Sequence, residues 1–367
     1  MTRRLKAAWF RFLGYRALRL QNLRSALANF QKAAEQQPEN PNFTLQTGWC
    51  LHQLENYEAA IEKYDQILQR DAGCAVAHAY RALSLARVQR LGEAVESLQR
   101  ARRIGFPVKG EKRPGFWEGS LGHWLAELGD HVEAVEPLKR WVEMEPNDPD
   151  AHYNLGAAYS ELKRREESMR ELQESIRLDP MRPEAHYALG ICFGEARQLK
   201  RAVDSYREAI RLRPDYADAH FNLGCTYGEI GRTGEEIGEY KRVIEIEPND
   251  RKTLVNLAIA YSQAGLGEAA VETWKRVIEL EPNEIEGHAS LANEFERLGR
   301  FQDALGAARE VERIAPNAVS LGNVAVFLNR LGQFDDALLK AREAIGLDPT
   351  YPDAHLSAGF ALHQLGP

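Results

Sequence analysis

Six prolines, Pro146, Pro180, Pro214, Pro248, Pro282 and Pro316, stand 34 residues apart. A chain that repeats this strictly is a stack of copies of one unit, each touching only its neighbours, and its function lies in the surface that the stack presents. Length loses its usual meaning here. A chain of 367 residues would otherwise suggest two or three globular domains, but a stack has no single core to divide.

Residues 183–216 show the unit most plainly. Counting Pro183 as position 1, Leu189 and Gly190 fall at positions 7 and 8, Phe193 at 11, Ala202 at 20, Tyr206 at 24, Ala209 at 27 and Pro214 at 32. Positions 4, 7, 8 and 11 share one helical face, and 20, 24 and 27 share another, which predicts two amphipathic helices per unit. The small residues at 8 and 20 are expected to let two helix backbones approach, and the proline ends the second helix. These residues resemble the tetratricopeptide repeat, a helix-turn-helix unit. The resemblance implies an all-α, right-handed superhelical solenoid of stacked helix-turn-helix repeats.

Extended outward, the register covers residues 7–40, 41–74 and 75–108, and after the extra residues 109–114 it runs through 115–148, 149–182, 183–216, 217–250, 251–284, 285–317 and 318–351. That is ten repeats, followed by a half repeat at 352–367. The expected organisation is an N-terminal block (1–108, three repeats), an inserted basic loop (109–114), a C-terminal block (115–351, seven repeats) and a capping helix or truncated repeat (352–367). Arg81 takes the usual leucine position of the third repeat and places that turn in question.

Composition and motifs exclude much. There is no run of 18 apolar residues to span a bilayer. The four cysteines, Cys50, Cys74, Cys192 and Cys225, form no CxxC pair and read as reduced packing residues of a cytoplasmic protein. No P-loop, HExxH or GxSxG occurs. Gly224, Gly228, Gly231 and Gly234 look phosphate-loop-like in isolation, but their repeat positions assign them to helix packing and the inter-helix turn. His78, His152, His186, His220, His288 and His355 all occupy position 4. Metal ligands must converge within about 2 Å of one ion, whereas equivalent positions in stacked helices lie roughly 8–10 Å apart, so these histidines read as a packing habit. No catalytic residue, metal or cofactor is expected.

In the family, first-helix positions 2, 5, 9, 12 and 13 face the concave side and bind peptides or partner helices, and the resemblance implies the same here. In the fifth to seventh repeats those positions include Asp150, Tyr153 and Glu161, then Glu184, Tyr187 and Glu195, then Asp218, Phe221 and Glu229. Three aromatics at position 5 between flanking acids suit a protein or peptide with apolar anchors and Lys/Arg flanks. Asn154, Asn222, Asn256 and Asn323 at position 6 resemble the asparagine ladder that grips peptide backbone in the repeats of O-GlcNAc transferase, since an amide donates and accepts at once. The cation pattern with which co-chaperones clamp a chaperone tail is absent, with Phe221, Cys225 and Asn256 at its key places.

Two segments depart from the monotony. Residues 1–34 carry Arg3, Arg4, Lys6, Arg11, Arg16, Arg19, Arg24 and Lys32 without an acid, in a chain of net charge −7. This reads as a basic end cap in preference to a membrane or nucleic-acid foot, and no nucleic-acid partner is expected. The segment 105–114 lengthens one inter-repeat turn and offers Lys109, Lys112 and Arg113 as a partner-contact loop. The reading is a non-catalytic scaffold or adaptor. The alternatives are a targeting or regulatory module of a larger enzyme, in the manner of O-GlcNAc transferase, for which the ending half-way through a repeat speaks, or a membrane-surface assembly factor. Glu236 at position 20 of the seventh repeat, where other repeats carry Ala or Ser168, is expected to tilt outward or find a cation and, with Gly234 and Gly238, to make that repeat a soft joint.

Overall fold

A computed structural model describes residues 2–106 and 114–366, and among them the chain forms 21 helices and no strand. Lys109, Lys112 and Arg113 lie outside the described residues. The chain divides into two compact units, Met1–Met181 and Arg182–Pro367.

The first unit contains α1 (Arg3–Arg19), α2 (Leu23–Gln36), α3 (Pro41–Gln53), α4 (Tyr57–Arg70), α5 (Ala75–Arg87), α6 (Leu91–Ile104), α7 (Pro114–Glu127), α8 (His131–Met144), α9 (Pro149–Glu161) and α10 (Arg165–Leu178). The second contains α11 (Pro183–Glu195), α12 (Leu199–Leu212), α13 (Ala217–Ile230), α14 (Thr233–Ile246), α15 (Arg251–Gln263), α16 (Gly267–Leu280), α17 (Ile285–Arg297), α18 (Phe301–Ile314), α19 (Ala318–Arg330), α20 (Phe334–Leu347) and α21 (Pro352–Leu365). Within each unit every helix packs on the next, and some first helices also touch the following first helix, as α3 touches α5 and α11 touches α13.

The turn inside each repeat has one fixed conformation. Position 15 is left-handed in all ten repeats: Gln21, Glu55, Gln89, Lys163 and Arg197 have φ of 56–62°, and Gly129, Gly231, Gly265, Gly299 and Gly332 have φ of 71–84°. Half of the repeats thus hold a side chain where glycine is favoured, at a cost of about 1 kcal/mol each.

The small residue at position 8 has a different task from the one its size suggests. A Cβ on Gly14, Gly48, Gly122, Gly156, Gly190 or Gly224 would lie 2.5–2.9 Å from the side chain at position 24 of the same repeat, respectively Phe30, Tyr64, Leu138, Leu172, Tyr206 and Tyr240. These glycines are seats for a ring or a leucine, not primarily for the partner backbone. Backbone approach is the business of position 20, where Ala202 and Ala270 are wholly buried and the Ser168 hydroxyl donates to the Gly156 carbonyl at 2.8 Å. Arg81 leaves its helix intact: α5 runs through it, and its Nε meets Asp65 at 2.6 Å.

The position-4 histidines tie successive repeats together. Nε2 of His78, His152, His220, His288 and His355 lies 2.8–3.1 Å from the carbonyl oxygen six residues earlier, on Ala72, Pro146, Pro214, Pro282 and Pro349. Each ring donates to a carbonyl left over where the preceding second helix ends. Proline is not required for this, since Ala72 serves equally. Nδ1 of His152 and His220 faces Glu171 and Glu239 at 2.7 and 2.6 Å. In the fourth repeat, beyond the insertion, Glu118 stands at position 4, is buried, and meets Arg102 at 3.3 Å instead. None of the four cysteines is in a disulfide, and burial pushes the Cys50 thiol up to about 11.

Glu236 neither tilts outward nor finds a cation. It is 8% exposed, Oε2 has no hydrogen-bond partner, and Oε1 would lie 2.7 Å from a Cβ on Gly228. The glycine at position 12 of the same repeat makes the room, so the carboxylate stays inside. Burial raises its pKa, against a hydrogen bond with Tyr240 that lowers it. Beside Gly234 and Gly238 an added Cβ would meet nothing within 4 Å.

Candidate functional site

Helices α11, α13 and α15 of the second unit carry most of the residues expected to bind a partner. The hydroxyl of Tyr187 accepts from Asn222 Nδ2 at 3.0 Å, which links position 5 of one repeat to position 6 of the next. The amide nitrogen is thereby used and the amide oxygen remains to accept an N–H from a guest. The Phe221 ring lies tilted against Tyr240 at 5.8 Å, and Lys252 Nζ sits 4.1 Å above the Phe221 ring. Asn256 bonds Tyr240, whose hydroxyl lies 3.4 Å from Cys225 Sγ. The asparagines of this face therefore brace tyrosine hydroxyls, which an isolated ladder does not reveal.

Two acids of that face have cations already. Glu184 pairs with Arg213, and Glu229 pairs with Arg197 at 2.7 Å. Asp218 is exposed and has no cationic partner among the described residues, while Glu195 is exposed at the end of α11. In the first unit, Asp150, Tyr153, Asn154 and Glu161 all lie on α9, and Asn154 spends its amide nitrogen on the Asp150 carbonyl at 2.8 Å within its own helix.

A second feature was missed by sequence reasoning. In the first unit, α3, α5 and α7 line a cleft of about 810 Å3 with Trp49, Tyr80, Phe116, Trp117 and Trp124, joined by Tyr57 at the start of α4. Trp117 stacks edge-on against Tyr80, Phe106 and Phe116 at 5.8, 4.8 and 5.2 Å. The only available signal was aromatics at positions 2, 3, 6, 9, 10 and 17 of the second to fourth repeats, a pattern that no single helix repeats.

Sequence models described as tetratricopeptide repeats match residues 13–75, 55–106 and 255–319, residues 125–192 and residues 217–250, and a TPR repeat model matches 198–231 and 328–366. The chain belongs to the tetratricopeptide repeat (TPR) family. None of the curated proteins matches it. Among solved structures, the C-terminal part of a TPR repeat-containing protein from Cytophaga hutchinsonii is 17% identical, with a TM-score of 0.56 over 67% of this chain and 99% of that one, and it shares the fold. YrrB, described as a TPR protein with an unusual peptide-binding site, is 24% identical over 52% of this chain and 95% of its own, with a TM-score of 0.49. MamA from Desulfovibrio magneticus is 23% identical over 45% and 94%, with a TM-score of 0.42. No helix among the described residues of this TPR protein is long and apolar enough to cross a membrane.

Proposed function

We propose that this TPR chain is a non-catalytic protein-interaction scaffold, and that the first-helix face of its second unit holds an extended or helical segment with apolar anchors and basic flanks. The observation that carries the reading is the bond between Asn222 and Tyr187. It fixes an amide between two repeats with its acceptor unspent, beside the aromatic Phe221 and the unpaired Asp218. A guest backbone N–H would meet the amide, an apolar side chain the rings, and a lysine or arginine Asp218.

The test is fluorescence anisotropy of a labelled peptide of three Lys-Phe-Lys-Pro blocks. Replacing both Tyr187 and Phe221 with alanine should weaken binding by about 2 kcal/mol, roughly thirtyfold, the usual cost of losing aromatic anchors. Tyr187→Phe keeps the ring and removes only the hydroxyl that orients Asn222, so it should lose less. Undiminished binding by the double variant, with helicity intact by circular dichroism, would refute the assignment.

A further inference from the structure

We propose that the aromatic cleft between α3, α5 and α7 binds an acidic segment with aromatic or proline anchors, whose carboxylates pair with Arg87. The proposal rests on the scaffold reading but concerns another unit, another face and the opposite charge of guest.

The rings supply the anchor sites. Trp49, Tyr80 and Trp124 come from three successive first helices, and Phe116, 39% exposed, forms part of the lining. Aromatic-lined grooves of this kind take proline and aromatic side chains, whose rigid shapes lose little entropy on docking. Gln53, Gln89 and Ser120 in the same lining offer hydrogen bonds to a guest backbone.

The charge of the guest follows from Arg87. Its Nε lies 3.4 Å from the Tyr57 hydroxyl and its guanidinium lies over the Tyr57 ring at 5.7 Å, so the fork is oriented. Among the described residues it has no carboxylate partner. An oriented guanidinium with its remaining N–H groups unspent is suited to a carboxylate, which it can grip through two bonds. The one carboxylate in the lining, Glu127, is exposed and lies 3.2 Å from His123. His52, also in the lining, has Nδ1 2.9 Å from Ser84 Oγ, and burial followed by the Arg87 charge lowers its pKa.

The wider face agrees. At first-helix positions 2, 5, 6, 9, 12 and 13, the first three repeats carry Arg11, Arg19 and Arg87 and no Asp or Glu. A basic or quaternary-ammonium guest, which aromatic rings alone would welcome, would meet Arg87 as a like charge.

The experiment uses the full chain and three labelled peptides, built of Glu-Phe-Glu-Pro, Lys-Phe-Lys-Pro or Glu-Ser-Glu-Gly blocks, followed by anisotropy at low and high salt. The anchored acidic peptide should bind, weaken with salt, and lose about tenfold or more in affinity in Arg87→Glu, as expected for a charge pair within an interface. Arg87→Lys, which keeps the charge and loses the fork, should fall between and serves if Arg87→Glu does not fold. The anchor-free acidic peptide should bind at least tenfold more weakly, since it leaves the rings unfilled. The Tyr187 and Phe221 double variant should leave the acidic peptide unaffected. Absence of acidic-peptide binding, or binding unchanged in both Arg87 variants, overturns this inference while leaving the second-unit reading standing. Loss of Lys-peptide dependence on Tyr187 and Phe221, with Arg87 dependence intact, overturns the second-unit reading alone.

Discussion

Replacing Glu236 with alanine should stabilise the seventh repeat at neutral pH. The carboxylate is 8% exposed with Oε2 unpartnered, and a buried unsatisfied polar atom costs about 1–3 kcal/mol. Alanine at position 20 is wholly buried without difficulty in Ala202 and Ala270, and it adds a few tenths of a kcal/mol of helix propensity. Against this stands the hydrogen bond with Tyr240, worth about 1 kcal/mol. The net expectation is roughly 1 kcal/mol of stabilisation, or about fivefold slower amide exchange in α14, measured locally because a solenoid need not unfold in one step. The gain must also depend on pH. Burial raises the folded pKa of Glu236 above its unfolded value, so as pH falls the native carboxyl takes its proton first and the penalty fades. The difference between variant and wild type should therefore be full above the raised folded value and vanish below about pH 4, the range of an unfolded glutamate. Gly228→Ala gives a further check: its Cβ would lie 2.7 Å from Glu236 Oε1, so it should be tolerated better in the Glu236→Ala background. Exchange in α14 that is unchanged or faster, or a gain equal at pH 4 and pH 7, would refute the account.

The left-handed turn position yields a second prediction. Lys163→Gly or Arg197→Gly, at φ of 58 and 59°, should raise the urea midpoint through relief of up to about 1 kcal/mol, whereas Gly265→Ala, at φ 74°, should lower it by a similar amount despite open space around it; a neutral Gly265→Ala would contradict both. In the wild type, residues 233–246 should exchange faster than residues 199–212, the matching helix one repeat earlier, and Gly238→Ala should narrow the gap by about 1 kcal/mol because its methyl meets nothing within 4 Å. Equal protection of the two segments would show that there is no soft joint.

Helix limits were legible because two signals agreed at most repeats. Proline and the left-over position after it separate α10 from α11, and the apolar stripe through Leu189, Gly190 and Phe193 marks the buried face of α11. What pattern alone could not show was which atoms meet. The glycine at position 8 is small in any explanation, and only the geometry shows that Tyr206 or Tyr240 occupies the space. Lys163 and Arg197 give no hint of a left-handed backbone, because the turn is imposed by the two helices it joins. Glu236 was misread since its accommodation depends on Gly228, on another helix. The candidate site suffers the same limit: position 5 picked out Tyr187 and Phe221, but the pairing of Glu184 and Glu229 with arginines depends on side-chain reach. The cleft of the first unit draws on different positions in each repeat, so a search for one recurring position passes over it.

The histidine latch has a consequence for how such an array changes length. Its carbonyl belongs to the end of one repeat and its ring to the start of the next, six residues on, so the bond straddles the joint. Excising or duplicating a whole repeat that begins with such a histidine brings another end carbonyl to another ring and restores the same bond at the new joint. A shorter insertion moves ring and carbonyl apart. At the joint that carries extra residues, the latch has given way to the Glu118–Arg102 ion pair, a fastening that does not measure chain length. Where the histidine is present, the array can therefore grow or shrink by one whole repeat without losing the fastening at the joint.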